Sequence, residues 1–268
     1  MLSACFDMVL ASEVGGHLGK TNEKSLKVVR HRGHKYVTVD TSSKIGIQRA
    51  KYLGLGDSEM ADAVVSLFLH DISSVFTSNH KGRLFTIFRH PVERSASLFY
   101  YLSVANWEKT YKPVYSKMSI QDYAKSSRVE YNWMTRFLSG DLNGQLTQDH
   151  LNIAKEVIRR KCFVGLLEQK EETFRRFYKY LHLDDISFYT SFASMTSSSS
   201  SSSFTSNANK KSCISRVVFD DWPNRNQHPR LEEGTEVYEM LKQKNHFDMQ
   251  LYEYAKFIFK EQSYLVAS

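Results

Sequence analysis

Cysteine is scarce in this sequence: Cys5, Cys162 and Cys213 are the only three in 268 residues. Far apart and odd in number, they offer no disulfide framework, and without a Cys-x-x-Cys pair they offer no zinc knuckle. No Asn-x-Ser/Thr acceptor occurs, so glycosylation gives no sign of a secretory route. No apolar run reaches the roughly 18 residues that a membrane span needs. The apolar stretch 8–11 is too short for a leader and has no basic segment before it, so the chain reads as soluble over these residues. No internal repeat is present. Basic residues are not gathered into a tail or arm, which argues against a nucleic-acid reader.

What is present describes a globular protein with a polyanion bias. The apolar fraction is 41% and the aromatic fraction 13%, enough for a sizeable core. Lys and Arg outnumber Asp and Glu by 36 to 29, for a formal charge of +7. That balance favours nucleotides, nucleic acid, acidic glycans or anionic membrane as partners, although many basic proteins bind none of these.

The first half alternates strand-like and helix-like segments. Residues 36–40 alternate and are β-branched, and 44–53 follow with Ile45, Ala50 and Leu53 at helical spacing. Residues 64–69 read as a buried strand ending at His70, and 84–88 as another running into Arg89-His90-Pro91. Further on, Ser119 with Asp122 marks a helix start, and Thr147 opens a helix carrying Leu151, Ala154, Val157 and Ile158 on one face. Residues 163–166 form a short strand. Phe174, Phe177, Tyr178 and Leu181 then stand at helical spacing, a core stripe rather than a cofactor box. Two more helices are expected over 235–244 and 248–262. Residues 191–210 include an unbroken serine run, 197–203, too polar to repay the entropy of ordering, and are expected to be a disordered insertion. The expected fold class is α/β: one domain over 1–268 with a mostly parallel sheet flanked by helices.

The most informative stretch is Phe88-Arg89-His90-Pro91-Val92-Glu93-Arg94-Ser95-Ala96-Ser97. It places a cation at the carboxyl end of a strand and a helix opened by Pro91 at its first position. Ligands of open α/β sheets bind at that edge, and helix N-termini favour anions. Arg89 sits at that edge, and Arg94 and Ser97 are an i, i+3 step on one helix face, so a guanidinium and a hydroxyl can converge on one phosphate; the alternative is that Arg89 pairs with Glu93 and Ser97 faces solvent. His80 and His90 lie among polar residues and read as surface. His31 and His34 have no nearby carboxylate or cysteine, so no metal is expected.

Arg-x-Pro-x-x-Arg-x-x-Ser after an apolar strand, continued by Phe99-Tyr100-Tyr101-Leu102, resembles the 3′-phosphate signature of sulfotransferases that use the donor PAPS. The likeness is greatest to the uronyl and heparan sulfate 2-O-sulfotransferase group. Segments 132–140 and 163–168 support it, and it spans about 36–181. The resemblance implies a P-loop-NTPase-like sulfotransferase fold, PAPS as donor without a metal, and a carbohydrate or acidic glycan as acceptor. It assigns Arg89 and Ser97 to the 3′-phosphate and His70 to the general base, against the alternative of a histidine that caps a strand. Asn132 and Arg136 are expected to meet the acceptor. In the polar loop 223–229, Asn224, Arg225 and Asn226 close over the nucleotide or form an ordinary surface turn. Such enzymes sit in the Golgi lumen behind an N-terminal anchor, and no anchor is found in these residues.

One departure stands out. The family holds the 5′-phosphosulfate with a Lys-x-Gly-x-Thr-like loop, and none is found. The near match, Gly15-Gly16-His17-Leu18-Gly19-Lys20-Thr21, has one residue too few between its outer glycines for a Walker A loop. It reads as a flexible turn in preference to a phosphate cradle, and the chain as one that begins downstream of the true loop. Two rivals follow: a sulfotransferase-like shell that binds nucleotide or glycan without turnover, and an NTP-dependent phosphotransferase.

Overall fold

The computed structural model describes residues 2–19, 23–108, 111–181, 213, 216 and 228–266. The serine-rich stretch lies outside them. The chain forms two compact units, the first built on Met1–Gly82 with the segment carrying Cys213, the second on Arg83–Leu181 with the residues from 224 onward. Each is a mixed α/β assembly, and most strand pairs are parallel.

In the first unit, helix α1 (Leu2–Phe6) leads to β1 (Val9–Ala11) and α2 (Glu13–Leu18). The hairpin β2 (Val28–His31) and β3 (His34–Val37) follows, then α3 (Lys44–Tyr52), β4 (Ala63–Val64) and α4 (Leu69–Ser73). The sheet order is β2-β3-β1-β4, with β1 parallel to both β3 and β4. Arg32 and Gly33 turn the hairpin with φ of 49° and 83°, the doubly left-handed geometry that suits the right-handed twist of paired strands. His31 and His34 are therefore hairpin partners across the turn.

Ser43 caps α3 by accepting a hydrogen bond from the Gly46 amide at 3.2 Å. The buried face of α3 is Ile47 and Ala50; Ile45, expected inside, is 81% exposed. These join Ala11, Leu26, Val37, Val39, Leu55, Ile72 and Val75 in one apolar core. The expected strand 64–69 is also corrected. Only Ala63–Val64 pairs, Val65 and Leu67 point outward, and helix α4 starts at Leu69. The apolar run alternates in and out and cannot bury both faces, which ends the strand early.

The cysteines overturn a second expectation. Cys5 and Cys213 form a disulfide across a sequence separation of 208 residues. Spacing along the chain carries no information about a pair brought together by folding. Cys162 is buried, and burial pushes its thiol up to about 12, so it holds no thiolate for exchange.

The second unit contains β5 (Leu84–Phe88), α5 (Pro91–Val104), α6 (Ile120–Lys125), α7 (Trp133–Ser139) and α8 (Gln148–Lys161). It continues with β6 (Cys162–Leu166), α9 (Lys170–Tyr180), α10 (Glu236–Lys244) and α11 (His246–Glu261). β5 and β6 are parallel, with Phe88 opposite Leu166 at their carboxyl ends. Helix starts follow the caps read from sequence. The Ser119 hydroxyl accepts from the Asp122 amide at 3.1 Å, and the Thr147 amide donates to His150 Nδ1 at 3.0 Å. Leu151, Ala154 and Ile158 are fully buried against β6 and α11, and Phe174, Phe177 and Tyr178 of α9 are buried as expected.

No helix among the described residues is long and apolar enough to cross a membrane. The disulfide gives a direct test. Reduction, or Cys5→Ser, is expected to destabilise the first unit by about 2–4 kcal/mol, read as a lowered thermal midpoint that reductant no longer shifts in the variant. Alkylation of both Cys5 and Cys213 in the native, unreduced protein would count against the bond.

Candidate functional site

The site is built at the carboxyl edge of β5 and β6. Phe88 is 1% exposed and anchors the end of β5 in the core. The next residue, Arg89, leaves the sheet, and His90 and Pro91 open α5 with Pro91 in the first turn. The His90 amide donates to Glu168 Oε1 at 2.7 Å, and Glu168 stands just past the end of β6. Glu168 also bonds the Tyr252 hydroxyl; burial first, then this carboxylate's charge, pushes that phenol up. Val92, Ala96 and Phe99 bury the inner face of α5, which leaves Glu93, Ser97 and Tyr100 partly exposed beside Arg89's strand end.

Arg89 forms no ion pair with a described carboxylate, so the Glu93 pairing weighed from sequence is not made. Its one polar contact among the described residues is Nη2 to His228 Nε2 at 3.5 Å. Burial pulls Arg89 below its ordinary value, opposed by the more distant charges of Glu93 and Glu168. A guanidinium stays protonated through such a shift, so a partly desolvated cation is held at the sheet edge with most of its donors unused by the described residues. The Ser97 hydroxyl makes no hydrogen bond to a described residue. Arg94, by contrast, is engaged: it donates to Glu130 at 2.8 Å and its guanidinium lies 4.3 Å from the Trp133 ring centre.

His228 belongs to the polar loop that sequence reasoning singled out, but not to the residues named in it. Its ring stacks on Tyr100 at 5.2 Å between centres and 11° between planes. Tyr100 is three residues past Ser97 on α5, a spacing that puts both on one side of the helix. Asn224, Arg225 and Asn226 lie outside the described residues.

Other expected site residues are placed differently. His90 is not a surface residue: its ring packs against Tyr238 and edge-on to Tyr252, its Nδ1 is buried without a partner, and burial lowers its pKa. His70 does not end a strand; it is exposed in the short helix α4 of the first unit. His80 bonds Asp57 at 3.0 Å and Glu59 at 2.9 Å, and these two bonds raise its pKa.

Asn132 and Arg136, expected to meet an acceptor, are corrected to interior roles. Arg136 is 9% exposed, with Nη1 donating to the Gly144 carbonyl at 2.9 Å, Nε to Tyr131 O at 3.3 Å, and the guanidinium over the Tyr131 ring. A buried cation must be satisfied, and backbone carbonyls do that here. Asn132 is 3% exposed, and its Oδ1 accepts from the Phe247 and Asp248 amides at 2.9 and 3.1 Å. Asp248 returns the arrangement: Oδ2 accepts from the Met134 amide at 3.0 Å, and Oδ1 from the Thr135 amide and hydroxyl at 2.8 and 2.7 Å. The first amides of α7 and α11 are thus satisfied by side chains of the opposite helix.

Gly15 to Leu18 of the glycine stretch are the end of α2, helix where a turn was expected, and the Gly16 and Gly19 amides donate to the Ser12 and Gly15 carbonyls. A Cβ on Gly15 would stand 2.0 Å from the Val37 carbonyl oxygen, so this glycine allows close packing of α2 on β3. Lys20 and Thr21 lie outside the described residues. Comparison with known proteins finds no matching family model, no matching curated protein and no matching solved structure.

Asp248→Ala leaves the buried Met134 and Thr135 amides and the Thr135 hydroxyl without their acceptor. A loss of about 3 kcal/mol in denaturant-derived stability is expected. Asn132→Ala in the same background is expected to add less than it costs alone, because one interlocked unit is already broken.

Proposed function

We propose that the chain is a PAPS-dependent sulfotransferase with a P-loop-like sulfotransferase fold, transferring a sulfuryl group to a carbohydrate hydroxyl. The observation that carries this reading is Arg89: a partly buried guanidinium at a parallel strand's carboxyl end, beside a helix N-terminus, that forms no ion pair with a carboxylate of the described residues. A protein gains nothing in stability from such a cation, whereas a phosphate at that edge completes it. Ser97, with an uncommitted hydroxyl on the same helix, supports the same anion.

The residues present suit the 3′-phosphate end of the donor. For the 5′-phosphosulfate end no Lys-x-Gly-x-Thr loop is found in the sequence, and in the glycine stretch the Gly16 and Gly19 amides are taken by the Ser12 and Gly15 carbonyls. A base removes the acceptor's proton. The acceptor oxygen then bonds to sulfur as the bond from sulfur to the bridging 5′-phosphate oxygen breaks, and PAP leaves. An acidic glycan as acceptor accords with the chain's formal charge of +7. A Golgi lumenal site accords with the Cys5–Cys213 bond, since disulfides persist in oxidising compartments. That no Lys-x-Gly-x-Thr loop is found also favours a second reading, a shell that binds PAP or glycan without turnover.

Calorimetry with PAP tests the first reading. PAP is expected to bind with ATP much weaker, and Arg89→Ala to cost about a hundredfold in PAP affinity with the thermal midpoint retained. Equal binding by both proteins would remove the nucleotide assignment. Sulfate transfer to glycan separates the two readings. In a sulfotransferase, turnover is expected in the unmutated chain and to fall with Arg89→Ala; absent turnover with intact PAP binding in the unmutated chain leaves the binding shell.

A further inference from the structure

The residue facing Arg89 is an imidazole, where a carboxylate would be the ordinary partner of a guanidinium. That choice matters for an anion site. A carboxylate would fix the side chain but cancel its charge, and an incoming phosphate would have to displace it. A neutral imidazole can orient the guanidinium and leave its charge available.

The tautomer follows from the surroundings. His228 Nδ1 lies 3.0 Å from the Pro229 carbonyl oxygen, which can only accept, so Nδ1 carries the proton. In the neutral ring Nε2 is then the lone-pair nitrogen, and it is the one turned toward Arg89 Nη2 at 3.5 Å. The contact is long, at the outer edge of hydrogen-bond range, so it guides the guanidinium without holding it tightly. The ring is steadied by lying flat on Tyr100. Tyr100 belongs to α5, the helix that carries Ser97, so one helix sets both the hydroxyl and, through the stacked imidazole, the cation.

We propose that His228 is a positioning residue for the anion site: it orients Arg89 toward Ser97 without neutralising it, and so sets preference for nucleotides bearing a 3′-phosphate. The inference rests on the sulfotransferase reading of Arg89. It assigns no contact between His228 and the phosphate; its effect passes through the guanidinium.

The test compares PAP with adenosine 5′-phosphate, which lacks the 3′-phosphate, by calorimetry on the full chain. His228→Phe keeps a ring for stacking and removes the acceptor, while His228→Gln restores an acceptor oxygen. His228→Phe is expected to weaken PAP about tenfold and leave adenosine 5′-phosphate unchanged, with His228→Gln recovering part of the loss. In an Arg89→Ala background, His228→Phe is expected to have no further effect. A merely structural role would lower both nucleotides together and persist without Arg89, and either result overturns the proposal. If Arg89→Ala lowers the PAP preference and His228→Phe does not, the positioning role alone fails. If Arg89→Ala leaves that preference unchanged, the 3′-phosphate reading fails and takes this inference with it.

Discussion

Two buried helix starts, each satisfied by a side chain of the other helix, hold the second unit together. Asn132 stands in a left-handed conformation, φ 51°, which turns its side chain onto the first amides of α11. Asp248 serves the first amides of α7 in return. Unsatisfied amides at these depths would each cost on the order of 1–3 kcal/mol, so neither helix can shift alone. Asn245 extends the lock: its Oδ1 accepts from the Asn132 amide at 3.0 Å and its Nδ2 donates to Ser95 at 3.2 Å. Ser95 is on α5, two residues before Ser97. The helix that presents the anion site is thereby tied by hydrogen bonds to the starts of α7 and α11, while its Val92 and Phe99 pack in one core with Tyr123 of α6 and Val237, Tyr238 and Leu241 of α10.

This constraint explains why the polar residues of segment 132–140 are placed inward. Asn132 and Arg136 stand among apolar neighbours in the sequence, where a polar side chain can equally serve a ligand or the backbone. The deciding partners, the start of α11 for Asn132 and the Gly144 carbonyl for Arg136, are supplied by folding. Arg94 and Arg89 show the same division on one helix entry. Arg94 has found Glu130 and Trp133; Arg89 has an imidazole and open donors. Charge alone does not distinguish two arginines five residues apart, whereas their partners do.

Much of the scaffold around the site was legible from short-range pattern. The apolar run 84–88, the proline that opens α5 and the hydroxyl cap at Ser119 each act within a turn or a strand, so neighbouring residues suffice to read them. The failures also have local causes. Residues 64–69 offered an apolar run but no face to bury it on, and the glycines of 15–19 read as a loop because their permissiveness was taken for flexibility. Their use is close contact: α2 lies so near Val37 that a methyl group on Gly15 does not fit.

By itself the sequence determined the strand, cation and helix order that brings Arg89 and Ser97 to one sheet edge, because φ preferences and 3.6-residue spacing are properties of adjacent residues. Tertiary structure alone decided which polar groups remain open there. His228 meets Arg89 across 139 residues, and Cys5 meets Cys213 across 208. Asp248 reaches Thr135 across 113. No local energy term couples residues so far apart; only the packed cores bring them within a few ångströms, and only there does a charge acquire, or lack, its partner.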